Sequence, residues 1–162
     1  MNQKIIPNLW FDAEAEEAAD YYIDVFGEGR VLSVARYPEN SPGPAGSVMT
    51  VHFEVAGMQF VGINGGPQFT FTEAVSFQVD CADQAEVDRY WDRLIGDGGE
   101  ESQCGWLKDK YGLSWQIVPA GMDELFADPD AARAQRAMQA MLQMKKLDVG
   151  ALRAAADGAA VG

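Results

Sequence analysis

Histidine occurs once in the 162 residues, at His52, and cysteine twice, at Cys81 and Cys104. Two thiols are too few for a disulfide framework. The absence of a Cys-x-x-C pair argues against a structural zinc site as well. Basic side chains are also scarce. Twelve Lys and Arg stand against 25 Asp and Glu, giving a formal charge of −13. A surface of that sign is repelled by phosphate backbones and anionic headgroups, which argues against sequence-independent nucleic-acid or membrane binding. No apolar run approaches the roughly 18 residues of a membrane helix. Met1 to Pro7 lack the apolar core of a secretion signal, so a cytoplasmic protein is the expectation. No Gly-rich loop follows a first strand and opens a helix, the device by which a doubly wound enzyme holds its cofactor.

What is there suits one domain with an appendage. Apolar residues make up 48% of the chain and aromatics 10%, enough for a buried core, and 17 glycines favour strands and turns. Residues 4–11 alternate as a strand ending at Phe11. Residues 13–26 carry Ala18, Tyr21, Tyr22, Val25 and Phe26 on one helical face, stopped by Gly27. Strand-like stretches follow at 30–37, 47–56 and 58–64, with a Pro/Gly loop from Pro38 to Gly46 and a tight turn at Ala56-Gly57.

The pattern then returns. Residues 74–80 read as a strand, and 83–95 as a helix with Val87, Tyr90, Trp91, Leu94 and Ile95 on its apolar face, stopped by Gly96. Tyr21 matches Tyr90, Tyr22 matches Trp91, Val25 matches Leu94 and Gly27 matches Gly96, all at one offset. Strand-like stretches at 100–104, 105–111 and 113–119 complete a second β-α-β-β-β unit. Past Pro119 the composition turns helical. The pattern predicts a short helix at 121–127, then one over 131–147 with Met138, Met141, Leu142 and Leu147 in a stripe, and helix formers through 148–157. Such a stripe needs cover, from its own domain or from a second subunit.

Several stretches carry a resemblance: Pro7-Asn8-Leu9-Trp10-Phe11, Asn64-Gly65-Gly66-Pro67, Cys104-Gly105-Trp106-Leu107-Lys108-Asp109, and Gly112-Leu113-Ser114-Trp115-Gln116-Ile117-Val118-Pro119. With the duplicated units, the chain resembles the vicinal-oxygen-chelate superfamily of glyoxalase I and bleomycin-resistance proteins. More narrowly it resembles the PhnB-like branch, whose members often carry the label 3-demethylubiquinone 3-methyltransferase. The resemblance implies an α+β fold. Two βαβββ repeats (3–64 and 74–119) form a curved mixed sheet within a glyoxalase-like domain over 1–120, and 121–162 is a C-terminal helical arm. It also implies a homodimer and a cavity on the concave side of the sheet.

Alternation divides each strand between helix and cavity. Leu9 and Phe11 face the helix, leaving Ile6, Asn8 and Trp10 for the cavity. Val51, Phe53 and Val55 oppose Thr50, His52 and Glu54, and Val61 and Ile63 oppose Phe60, Gly62 and Asn64. In the second unit Phe77 and Val79 oppose Ser76 and Gln78, and Trp115 and Ile117 oppose Ser114, Gln116 and Val118. Metal-using relatives place ligands at positions that fall here on Ile6, Ala74, Gln116 and near Gly62. Alkyl groups donate no lone pair and an amide is a weak ligand, so neither a metal nor another cofactor is expected.

The candidate ligand-binding residues are Asn8, Trp10, Phe60, Asn64, Ser76, Gln78, Trp106, Lys108 and Gln116. The three aromatics suit a planar or cationic ligand or plain packing. The amides suit a ligand or one another, since buried amides need partners. His52, with Glu54 two residues away, suits acid/base catalysis or a structural hydrogen bond. Cys104 is either a small apolar residue or a thiol beside Lys108. The functional expectation is a metal-free small-molecule binding protein. The alternative is a metal-independent lyase, isomerase or transferase with His52 as acid and base.

Overall fold

A computed structural model describes residues 2–158. The chain forms two compact units, Met1–Phe71 and Thr72–Gly162. In the first, β1 (Asn8–Phe11) leads into α1 (Ala15–Phe26), and β2 (Gly29–Arg36), β3 (Val48–Val55) and β4 (Met58–Asn64) follow. The sheet order is β1-β4-β3-β2, with β1 parallel to β4 and the other neighbours antiparallel. Helix α1 buries Ala15, Ala18, Ala19, Tyr22 and Val25, a stripe at helical spacing, and its first turn carries Glu16 and Glu17 where the helix dipole favours acid. Gly27 ends it in the left-handed conformation, φ 69°, with its N–H on the Ile23 carbonyl.

The second unit repeats the order with β5 (Ser76–Cys81), α2 (Gln84–Ile95), β6 (Glu100–Glu101), β7 (Trp106–Lys108) and β8 (Ser114–Pro119), arranged β5-β8-β7-β6 with β5 parallel to β8. Asp83 accepts from the Glu86 N–H, and the Glu86 carboxylate accepts from the Ala82 N–H, so α2 starts on a reciprocal cap. The two helix stops differ. Gly96 is extended, and the first left-handed residue after α2 is Asp97, φ 55°. Strands β6 and β7 are shorter than the pattern predicts, two and three residues, because the turn at Ser102–Gly105 leaves the ladder to meet the C-terminal arm.

The arm belongs to the second unit. It comprises α3 (Met122–Phe126), α4 (Ala131–Met141) and α5 (Val149–Ala156). The helix anticipated over 131–147 ends at Met141, and Asp148 opens a separate helix by accepting from the Ala151 N–H. Leu147, between them, is 2% exposed and packs with Met122 and Leu152, flanked by Met141 and Met144. Much of the methionine stripe is therefore covered by the chain itself. Only Met138 and Leu142 of the stripe stay substantially open.

Two backbone–backbone bonds, two bonds from a side-chain amide and an ion pair hold the arm down. Cys104 and Gly105 donate N–H groups to the Met144 and Lys145 carbonyls, at 2.9 and 2.8 Å. The Gln84 amide bridges the Leu147 carbonyl and the Val149 N–H, both at 2.9 Å. Lys146 pairs with Asp88 at 2.9 Å. Gly105 takes φ 86°, and a Cβ there would come within 2.9 Å of Leu147 Cδ1, so a side chain would push the arm away.

Candidate functional site

Cross-strand partners share a face, so the ladder registers decide which side chains gather. On the face of the first sheet turned away from α1 lie Asn8 and Trp10, Gln59, Val61 and Ile63, Thr50, His52 and Glu54, then Arg30, Ser33 and Ala35. His52 Nε2 meets Gln59 Oε1 at 3.0 Å. With the amide oxygen as acceptor, His52 donates from Nε2, which leaves Nδ1 of the neutral ring as an acceptor. Gln59 is in turn held through its backbone by the Gln3 amide, which accepts at 2.8 Å and donates at 3.0 Å. Trp10 donates its indole N–H to the Gly66 carbonyl at 2.9 Å and takes Phe69 edge-on. A Cβ on Gly65 would lie 2.2 Å from the indole ring, which is why the turn after β4 needs glycine there.

Three residues expected on that face, Phe60, Gly62 and Asn64, are on the other one. Phe60 is directly opposite Phe53, with which it stacks at 5.6 Å, and is 6% exposed in the core beneath α1. Asn64 pairs with Phe11 on the α1 side. Its Oδ1 accepts from the Ala15 N–H at 2.8 Å and its Nδ2 donates to the Val48 carbonyl at 3.1 Å, so it caps α1 and ties it to β3. The reason is pleat parity. Val61 opposes His52, so Val61 and Ile63, rather than Phe60 and Asn64, complete the polar face.

In the second sheet Ser76, Gln78 and Asp80, Ser114, Gln116 and Val118, and Trp106 and Lys108 share the face opposite α2. Gln116 donates to Ser76 Oγ at 2.9 Å and Gln78 donates to Asp80 at 2.7 Å. Lys108 pairs with Glu73, and that bond lifts the ammonium above its ordinary pKa and holds the carboxyl below its own. Ser114, 1% exposed, has a hydroxyl without a hydrogen-bond partner among the described residues. Cys104 sits in the left-handed region, φ 57°, at the arm's anchor. Cys81 is buried, and desolvation pushes its thiol up to about 12, which keeps it protonated and unreactive.

Sequence reasoning missed a cleft of about 450 Å³ where the parallel strands β5 and β8 end. It is lined by Gln78, Asp80, Glu86, Val118, Met122 and Asp123 among others. The pairing of two strands 38 positions apart creates it, and no local motif announces that.

Metal ligation finds no support in the donors. Gly62 faces α1, where a Cβ would meet the Ala15 Cβ at 3.1 Å, and the Gln116 amide has only a weak, neutral oxygen to give a metal. Among the described residues no group of three or more His, Cys, Asp or Glu is placed to hold a metal ion. Methyl-donor binding in the doubly wound manner does not fit either. The β1–α1 connection is Asp12-Ala13-Glu14 and the β5–α2 connection Ala82-Asp83, so both helix N-termini open on acidic rather than glycine-rich turns.

Two β-α-β-β-β units with one sheet order, each with a parallel outer pair, define the glyoxalase/bleomycin-resistance fold. The chain belongs to the family described as 3-demethylubiquinone-9 3-methyltransferase, whose model matches residues 3–118. It is 37% identical to a Bacillus cereus protein described as a putative 3-demethylubiquinone-9 3-methyltransferase, PhnB protein, with a TM-score of 0.65 over 73% of this chain and 100% of that one. A Pseudomonas aeruginosa protein shares the fold at 20% identity, TM-score 0.60, over 73% and 98%. No curated protein matches the chain. Among the described residues no helix is long and apolar enough to cross a membrane.

Proposed function

We propose that the protein is a cytoplasmic, metal-free small-molecule binder of the PhnB-like branch, its ligand held on the helix-free face of the second sheet and in the cleft at its end. The observation that carries this reading is the run of uncharged hydrogen-bonding groups on that face, Ser76, Gln116 and Gln78, which leads from Trp106 into the cleft beside Val118. About 450 Å³ falls within the usual size of ligand pockets. Asp80, Glu86 and Asp123 on its wall favour a neutral or cationic ligand over an anionic one. Ser114 offers a further hydroxyl on the same face.

Native mass spectrometry of purified protein tests this. The wild type is expected to retain a compound through dialysis without converting it, and Gln78→Leu with Val118→Trp, which blocks the cleft, is expected to lose it. A wild type that carries nothing and gains no thermal stability from a library of neutral and cationic aromatics would overturn it.

A second reading has its own observation. The His52–Gln59 bond fixes the imidazole with Nδ1 available on the face that also carries Glu54, an arrangement suited to proton transfer. It requires turnover with a pH–rate bell that disappears in His52→Gln.

A further inference from the structure

The cleft at the end of β5 and β8 has walls of two origins. Asp80 and Val118 come from the strands, and Ala82 and Glu86 from the start of α2. The remaining wall is the first stretch of the arm, including Met122 and Asp123, and it lies past residue 118, where the family match ends.

That wall is held from elsewhere in the chain. One backbone bond ties its root to the sheet, from the Ala120 N–H to the Cys81 carbonyl at 2.8 Å. Gly121, left-handed at φ 90°, then turns the chain into α3, a helix of five residues. A helix that short does not hold itself in water. Met122, 5% exposed, is fixed instead by packing in one cluster with Leu147 and Leu152. Leu147 in turn is seated at Gly105, where the missing Cβ leaves room for its Cδ1, and Gln84 of α2 holds its carbonyl.

Contacts therefore run from Gly105 through Leu147 and Met122 to the cleft. Close-packed side chains have little slack, so a displaced Leu147 displaces the wall. A wall held in advance also spares a ligand the cost of ordering it, and what seats Leu147 thereby sets affinity in the cleft.

We propose that the arm completes the ligand site of this protein: Leu147, seated at Gly105, is a positioning residue that holds Met122 as a wall of the cleft, and a ligand there is gripped by strands and arm together. The inference rests on the ligand-binding reading. By linkage, docking of the arm raises affinity in the cleft, and a bound ligand holds the arm down by the same factor.

Cys81 lines the cleft, is 1% exposed, and becomes the sole thiol in a Cys104→Ser background. Its labelling by N-ethylmaleimide, followed by intact mass with and without tryptamine as a cationic aromatic probe, reads the state of the wall. The parent is expected to label slowly, and tryptamine to slow it about threefold further. Leu147→Ala, and independently Gly105→Ala, is expected to label about tenfold faster and to lose the tryptamine protection, while still melting in one cooperative transition. Leu147→Met is expected to behave as the parent. Labelling that ignores Leu147 and Gly105, or tryptamine protection that persists in their alanine variants, overturns the proposal and leaves the ligand-binding reading standing. Labelling that follows these residues but is never slowed by tryptamine overturns that reading, and the proposal with it.

Discussion

At the scale of single residues, Asp109 is a carboxylate 2% exposed at the turn between β7 and β8. Its carboxylate accepts from the Tyr111 N–H at 2.9 Å, the Leu113 N–H at 3.1 Å and the Trp115 indole at 2.9 Å. A buried carboxylate survives only where its oxygens are bonded, and here it closes the turn and orients a core tryptophan at once. Asp109→Ala leaves three donors without their acceptor and is expected to cost at least about 3 kcal/mol, with Asp109→Asn between it and the wild type. Urea unfolding midpoints measure both. The Cys-Gly-Trp-Leu-Lys-Asp segment is thus explained by structure: Gly105 admits Leu147, Leu107 is core and Asp109 ties the turn. Its motif was legible in the sequence, and the reason for the motif lay in contacts with residues far along the chain.

At the scale of elements the arm's attachment to α2 depends on an ion pair with a defined pH window. Lys146 holds the Asp88 carboxyl below its ordinary range, and Asp88 holds the Lys146 ammonium above its own. The depressed carboxyl contributes stability above the unfolded carboxylate pKa near 4, and that contribution fades as pH falls through the folded value. The raised ammonium contributes below about pH 10.5, lost as pH rises through its folded value. Both side chains are more than a third exposed, so the pair contributes well under about 1 kcal/mol. Lys146→Met is therefore expected to melt slightly below the wild type at pH 6 and to coincide with it near pH 3. Thermal scans at both values check this, and a gap that persists in acid would place the variant's effect in packing instead.

Helix faces in both units and the repeat between them were readable in advance, because an amphipathic period survives wherever one face is buried. The face of β4 was misread. A strand with apolar residues at consecutive positions, such as Phe60-Val61-Gly62-Ile63, has no alternation to say which parity is inward. The break at Leu142–Asp148 was missed for a similar reason: the run contains good helix formers, and what ends the helix is the docking of Leu147 and Gln84.

At the scale of the whole molecule the formal charge of −13 opposes compaction. Exposed ion pairs such as Arg89–Glu86 are too wet to offset it. Raising sodium chloride from low concentration is expected to raise the melting temperature, since screening relieves net repulsion more than it weakens those pairs. Differential scanning fluorimetry across a salt series decides the matter, and a falling midpoint would mean that the pairs prevail.

The sequence alone determined the duplicated β-α-β-β-β order, the helix stripes and the acidic composition, because each is written in local period or composition. Tertiary structure alone decided that Asn64 caps a helix, that Phe60 is core, that the arm folds back on its own unit and that a cleft opens where β5 and β8 end. Those outcomes depend on register between distant strands, and register is an energy balance over a whole sheet that no short stretch of sequence encodes.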